Sequence, residues 1–493
     1  MKKINEAELW LLAGSQFLYG QEVLDAVAER AAEMADTFNA SGHIPCKIVY
    51  KATVKTADGI TNVIRAANAD ERCIGVVTWM HTFSPSKMWI SGLLLLQKPY
   101  CHMHTQYNRG IPDREIDMNF MNLNQSAHGD REHGFIGARM RLPRKIAVGY
   151  WRDEALQKQL GSFARTCFGL DASRNLSVVR FGDNMRHVAV TEGDKVEAQI
   201  KFGWQVNTQP VGRLAEEVVR VADAEADELA AIYRERYRAN TDDWDAVRYQ
   251  AKEEIAIKRI LESERAGAFS NTFEDLYGLE QLPGLATQRL MEQGYGYGGE
   301  GDWKTAALVH IVKMMTQGLT GGTSFMEDYT YDLTAGSELC LGAHMLEVCP
   351  SIAGDRPKIE VHPLGIGGKN PPARLVFEGK EGKAVLASLV DMGGRFRMII
   401  HDIEAVRPVY EMPNLPVARV MWKPAPDLYT GAHAWILAGG AHHTVMSYDA
   451  TADILLDLCE MLGIEAVHIT ADTTVENLKK ELLFADIAWK IRF

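Results

Sequence analysis

The run ELWLLAG at residues 8–14 is short, apolar and closed by a glycine, and the amphipathic stretch QEVLDAVAERAAEMADTFN follows it. The alternation continues with KIVYKATV as a strand, DGITNVIRAANAD as a helix, CIGVVTWM as a strand, SPSKMWISGLLLLQ as a helix behind a Ser-Pro start, and PYCHMHT as a strand. Strands and helices alternating over short connections predict a parallel sheet with right-handed crossovers. Ligands of such sheets sit beyond the carboxyl ends of the strands. That puts Ser15, Gln16, Leu18 and Tyr19, after the first strand, and Met80 and His81, after the third, on a candidate rim, unless they are plain turn residues. AGSQFLYG lacks the GxGxxG spacing, so a dinucleotide site is not expected.

Residues 145–210 hold a second set of apolar runs, KIAVGYW, LSVVRFG, HVAVTE and EAQIKFGWQV, which predicts a second α/β unit. The polar stretch from 211 to 266 carries its charges at helical spacing and reads as a solvated amphipathic pair with no part in function. From 325 the texture changes to short β-like runs broken by Gly, Pro and Asp: SELCLGAHML, KIEVHPLGIGG, ARLVFEG, KAVLASLVDMG, RFRMIIHDIE and AWILAGGAHHTVMS. These predict an antiparallel barrel or sandwich, and the tail ATADILLDLCEMLGIEAVHI adds a helix and a strand.

Composition narrows the partners. A chain of 493 residues exceeds what one core supports, so two or three domains are expected. The formal charge of −12, with no long basic run, argues against nucleic acid and anionic membrane surfaces. The seven cysteines, at 46, 73, 101, 167, 340, 349 and 459, are scattered without CxxC spacing, which suits a reducing compartment. The apolar run near the N-terminus is too short for a signal peptide, and no stretch is long enough for a transmembrane helix. The cytoplasm is the expected location.

Candidate chemistry lies in the last two fifths of the chain. In GGEGDWK, residues 298–304, Glu300 and Asp302 stand between small residues at the mouth of the apolar run TAALVHIVKMM. MEDYTYD supplies Glu327, LGAHMLEVCP supplies His344, and GGAHHTV supplies His442 and His443. Carboxylates with one or two imidazoles, and no thiolate, suit Mn²⁺, with Mg²⁺ or Co²⁺ as alternatives. Each residue also has a plain structural reading: Glu300 or Asp302 as a helix cap, His344 as a satisfied core histidine.

GEGDWKTAAL, GGTSFMEDYTY, GAHMLEVCPSI, HPLGIGGKNPPARLVF and WILAGGAHHTV resemble, in the same order, the motif series of bacterial L-arabinose isomerases, which have the fucose isomerase-like fold. GSQFLYG, LNQSAHGDREHG and TFEDLYGLEQLPGLATQRLM are similar to that family too, so the resemblance spans essentially the whole chain. It implies an α/β fold class: two doubly wound parallel-sheet (Rossmann-like) domains, 1–172 and 173–324, followed by a mostly antiparallel β-barrel domain, 325–493.

The implied activity is metal-dependent aldose-ketose isomerisation of L-arabinose to L-ribulose through a cis-enediol, with D-galactose to D-tagatose as a side reaction. The implied metal ligands are Glu300, Glu327, His344 and His443, with Glu300 and Glu327 as the acid-base pair and Asp302 either a catalytic residue near the sugar that assists ring opening or a helix cap. Implied sugar contacts are Gln16, Leu18, Tyr19, Gln125, His128, Met185, Phe273 and His442; for Met185 and Phe273, core packing is the other reading. A homohexamer with active sites shared between subunits is implied as well. Rival readings are an isomerase of L-fucose or D-arabinose, a non-catalytic sugar-binding protein, and a hydride-transfer enzyme whose nicotinamide site the sequence does not offer.

Overall fold

A computed structural model describes residues 2–491. The chain forms two compact units, one running to Asp171 and taking in Leu456–Gly463, the other comprising Ala172–Leu455 and the chain from Ile464 onward.

The first unit is built on β1 (Glu8–Gly14), β2 (Lys47–Val54), β3 (Cys73–Trp79), β4 (Tyr100–His104) and β5 (Lys145–Val148), all parallel in the order β2-β1-β3-β4-β5. Every residue of β1 and β3 is buried, which is why these runs are continuously apolar. The helix Ala57–Ala69 turns Ile60, Ile64 and Ala67 inward and is started by Thr56, whose hydroxyl accepts from the Gly59 amide. KIAV, read from sequence with the second set of strands, pairs instead with β4, and Lys145 forms an ion pair with Asp457 of the returning segment. The helix expected at 84–97 is a 3₁₀ turn, Ser86–Trp89, and a short α-helix, Ile90–Leu95.

In the second unit β6 (Ser177–Phe181), β7 (Gln205–Gln209), β9 (Ala266–Asn271) and β10 (Gly296–Gly298) make a parallel sheet in the order β10-β9-β6-β7; the short β8 (Arg238–Ala239) belongs elsewhere. HVAVTE holds no strand, only a 3₁₀ turn at Ala189–Thr191, and EAQIKF lies in the helix Lys195–Phe202. Asp194 caps that helix by accepting from two amides and Gly203 ends it at φ 86°, so the cap signals outweigh the apolar alternation. The stretch 211–266 forms three helices, not a solvated pair. The third, Trp244–Ser263, buries Gln250, Glu253 and Glu254 along with its apolar face. Gln250 ties down the loop that follows β9, its carbonyl oxygen accepting from the amides of Gly284 and Ala286.

The rest of the unit is mostly antiparallel: β11 (Thr323–Asp332), β12 (Leu339–Ala343), β13 (Lys358–Val361), β14 (Ala373–Val376), β15 (Gly382–Asp391), β16 (Phe396–Val406), β17 (Arg419–Pro424), β18 (His443–Ser447) and β19 (Glu465–Ile469). Pairing runs β15-β18-β11-β12-β17-β16, and β16 pairs again with β15, so the ladder closes into a ring with β19 added parallel to β16. Met326, Cys340, Leu386, Ile399, Trp422 and Met446 belong to its core. KIEV and ARLV leave the ring and form a small sheet with β8. AWILA is helical, within Leu428–Ala438, because Asp427 caps its start and Gly439 takes φ 82° at its end. A last helix, Val475–Ile491, follows β19.

Candidate metal centre

β10 is only three residues long, and the chain leaves it through a tight turn. Glu300 and Gly301 both take left-handed φ, 59° and 78°. Glycine adopts this freely, and here it has to be small: a Cβ on Gly301 would stand 2.5 Å from Asn184 Cα. For Glu300 the conformation is strained, and it is held by the Met185 amide donating to the Glu300 carbonyl at 2.9 Å. The turn sends the Glu300 side chain into a cavity and starts the helix Trp303–Met315, in which every residue but Lys313 is buried. Asp302 caps that helix, its Oδ1 accepting from the Thr305 amide at 3.2 Å. The two carboxylates of GGEGDWK therefore have separate tasks.

Three neighbouring strands bring the remaining groups. Glu327 on β11 lies opposite His443 on β18 and Ala343 on β12, so His344 is one residue past the end of β12. Phe325 shares the face of Glu327 and meets the rings of His344 and His443 edge-on, with centroids 4.8 and 5.0 Å apart. Among the described residues, Glu300, His344 and His443 each offer a donor atom within 4.8 Å of the others. Glu327 adjoins them, its Oε2 3.8 Å from His344 Nε2.

Each of the two imidazoles is backed by a carboxylate. His344 Nδ1 lies 2.5 Å from Glu347 Oε2, and His443 Nδ1 lies 3.2 Å from Asp302 Oδ2. A proton on each Nδ1 leaves both Nε2 lone pairs toward Glu300. His443 is fully buried, and its Nε2 has no hydrogen-bond partner. An orphaned imidazole nitrogen beside a carboxylate and a second imidazole is a donor set that a divalent cation fits, and the residues present match one. His442 is about a third exposed, and its Nε2 lies 3.4 Å from Glu300 Oε2.

The electrostatics keep Glu300 and Asp302 charged and, with no cation at the centre, favour a second proton on His344, which a bound cation would displace. Burial works to raise the Glu300 carboxyl, but the bond to His442 and the nearby imidazoles outweigh it and hold the group below its ordinary value. Burial also opposes the charge on Asp302, yet Lys304 first and then His443 keep it well below the carboxylate range. For His344 burial favours the neutral ring, while Glu347, Glu327 and Glu300 raise it to about 8. Asp328, next along β11, is pushed up to about 7 by burial and by Glu327.

The cavity has a volume of about 320 Å³. Phe273, Leu276, Leu282, Leu364 and Ile366 give it an apolar wall, facing Glu300, Glu327, His344, Glu347, Asn271 and Tyr297. On the parallel-sheet side it is lined from the carboxyl ends of β9 and β10, by Asn271, Tyr297 and Glu300, the end at which open parallel sheets hold ligands. Met185, half-buried on the loop after β6, adjoins the Glu300 turn through its amide. Sequence reasoning did not single out Glu347, Phe325, Tyr297 or Lys304. Only the three-residue step from His344 to Glu347 and the lysine closing GGEGDWK offered a signal.

The remaining predicted residues lie in the first unit. Leu18 is exposed, Gln16 and Tyr19 are half-buried, and the Tyr19 hydroxyl donates to Gln125 Oε1 at 3.3 Å. The exposed His128 stacks on Phe83 at 4.7 Å. Ser15, Met80 and His81, expected on the rim, are fully buried. Ser15 accepts a hydrogen bond from the Thr82 hydroxyl, and His81 stacks on Trp79 and meets Arg30, so these side chains form the floor of the strand ends.

Three family models match in succession: the L-arabinose isomerase N-terminal domain over residues 3–175, the central domain over 177–318 and the C-terminal domain over 322–465. The chain belongs to the L-arabinose isomerase family. It is 55% identical to the L-arabinose isomerase of Thermotoga petrophila across 99% of each chain, and 54% identical to that of Geobacillus stearothermophilus across the full length of both. Within the family match, Glu300 and Asp302 fall in the central domain and Glu327, His344, His442 and His443 in the C-terminal domain. A solved structure described as a putative branched-chain amino acid ABC transporter from Rhodospirillum rubrum overlaps 67% of the chain and 73% of its own at 13% identity and a TM-score of 0.16, too poor a superposition to bear on the fold.

Proposed function

We propose that this protein is an L-arabinose isomerase that interconverts L-arabinose and L-ribulose through a cis-enediol, and D-galactose and D-tagatose as a side reaction. The observation that carries the reading is the convergence of Glu300, His344 and the unpartnered His443 Nε2 beside an apolar-walled cavity, in a chain of this family. Glu300, Glu327, His344 and His443 would hold Mn²⁺, with Mg²⁺ or Co²⁺ as substitutes. When bound, the ion supplies Lewis-acid polarisation of the two sugar oxygens between which the carbonyl migrates.

The protein's own groups do the rest. Moving a carbonyl to the neighbouring carbon needs a base that takes the carbon-bound proton and returns it one atom away; of the three glutamates on the cavity Glu347 is engaged by His344, which leaves Glu300 and Glu327 for this work. Two carboxylates at one centre share that work, one on the carbon proton and one on the oxygen proton. His442, bonded to Glu300, is poised to contact a sugar hydroxyl. Asp302 orients the His443 ring, and the apolar wall, Phe273 included, suits the carbon face of the sugar. Gln16, Leu18, Tyr19, Gln125, His128 and Met185 would complete substrate binding, the residues of the first unit serving a neighbouring subunit's site in a homohexamer. This reading treats 1–172, 173–324 and 325–493 as domains, a division near the breaks between the three family matches. The seven buried cysteines are all free, which favours the cytoplasm. No described helix is long and apolar enough to cross a membrane.

The test is ketose formation from L-arabinose by chelator-stripped protein with and without Mn²⁺. Metal-dependent L-ribulose is expected; no ketose from arabinose, galactose or fucose under either condition refutes the reading. Ketose from L-fucose in preference to arabinose would reassign the substrate. Glu327→Gln is expected to lower turnover by about 10²- to 10⁴-fold.

A further inference from the structure

Lys304 is 1% exposed, and its ammonium has four oxygens around it. Nζ donates to the carbonyls of Val190, Thr191 and Glu192 at 3.1, 2.9 and 2.7 Å, and it lies 3.3 Å from Asp302 Oδ1. The loop closes over its stem: a Cβ on Gly193 would come within 3.2 Å of Lys304 Cδ. A buried cation persists only where it is paired, and here the pairing leads to the metal centre by two routes. Asp302 places its other oxygen on His443 Nδ1. The 190–192 segment holds Asn184, whose side-chain amide donates to the Thr191 carbonyl at 2.7 Å, and the next residue, Met185, fixes the Glu300 carbonyl.

We propose that Lys304 is a positioning residue of the metal centre, holding the Asp302 carboxylate behind His443 and the 184–192 loop behind Glu300. The proposal rests on the metal-dependent reading above. A neutral side chain of the same length would fill the space but remove the lysine donor from three carbonyls, of which Thr191 keeps another, from Asn184, and leave the carboxylate without its counter-charge. Asp302 would then be free to turn from His443, and the turn at Glu300 would lose the loop that backs it.

The experiment is a Mn²⁺ titration of chelator-stripped full-length protein, with free Mn²⁺ read by electron paramagnetic resonance. Wild type is compared with Lys304→Met, Lys304→Arg, Asp302→Asn and the Lys304→Met/Asp302→Asn double variant. Lys304→Met and Asp302→Asn are each expected to weaken Mn²⁺ binding by about 10- to 100-fold, the usual effect of removing a group that orients a ligand. Lys304→Arg is expected to recover part of the loss, and the double variant to lose less than the product of the single losses.

Wild-type Mn²⁺ affinity in Lys304→Met, even with a lowered melting temperature of the metal-free protein, would overturn the proposal, as would single losses that multiply. Should Lys304→Met fail to fold, unchanged affinity in Asp302→Asn does so instead. No Mn²⁺ binding by the wild-type protein would strike the metal-dependent reading itself and the proposal with it.

Discussion

Glu300 sits at φ 59° between two glycines, and its backbone cost can be separated from its chemistry. A side chain in the left-handed region costs roughly 1–2 kcal/mol. Glycine removes that cost but adds about 0.5–1 kcal/mol of unfolded-state entropy. Glu300→Gly and Glu300→Ala both delete the carboxylate and its bond to His442 and differ by one methyl group, so the difference between them reports chiefly the backbone. Glu300→Gly is expected to be the more stable of the two by about 0.5–1 kcal/mol. With the usual unfolding entropy per residue, that is about 1 °C in melting temperature for a unit of this size. The assay is parallel thermal melts of the metal-free variants by scanning fluorimetry, with turnover measured alongside. Both variants are expected to lose activity. A Glu300→Ala protein as stable as Glu300→Gly would refute the claim that this position is strained to deliver its carboxylate.

Gly299→Ala would set a Cβ 3.0 Å from His344 Cε1 and 3.1 Å from its Nε2, so the ring is expected to shift and Mn²⁺ affinity to fall, as titration would show; unchanged affinity would mean the ring accommodates the methyl group. Gln288, fully buried, donates to the carbonyls of Val348 and Leu375 and accepts from the Leu375 amide. Gln288→Leu leaves those groups facing an apolar side chain and is expected to cost about 3 kcal/mol or more in chemical denaturation. Burial lowers His310 from 6.5 to about 4. Between those values the unfolded chain takes up a proton that the native ring refuses, so stability falls as pH falls through that window, by up to about 3 kcal/mol for this group. His310→Gln, which keeps a donor for the Gly294 carbonyl, is expected to narrow its stability gap to wild type, or reverse it, as pH drops through that window; a gap independent of pH would refute this.

Much of the fold was legible because its signals are local. The continuous apolar runs of β1 and β3 and the turn residues between strands and helices state a buried parallel sheet without reference to the rest of the chain. Where a cap and an apolar pattern conflicted, as in Lys195–Phe202 and Leu428–Ala438, the cap won, and Asp194 and Asp427 were readable beforehand. The placement of KIEV and ARLV outside the ring was not readable, since an alternating strand does not name its partner.

The site divides along the same line. Residue types and motif order pointed by resemblance to Glu300, Glu327, His344 and His443, and the small residues around Glu300 advertised an unusual backbone. The sequence by itself thus determined the family, the alternating α/β framework and the donor chemistry available. Tertiary structure alone decided that Asp302 caps a helix while holding His443, that Glu347 does the same for His344, and that Lys304 reaches back more than a hundred residues to the 190–192 carbonyls. The reason is physical: a strand or a cap is set by neighbours along the chain, whereas the orientation of an imidazole is set by whichever buried group lies within 3 Å or so of its far nitrogen, and only packing brings that group there.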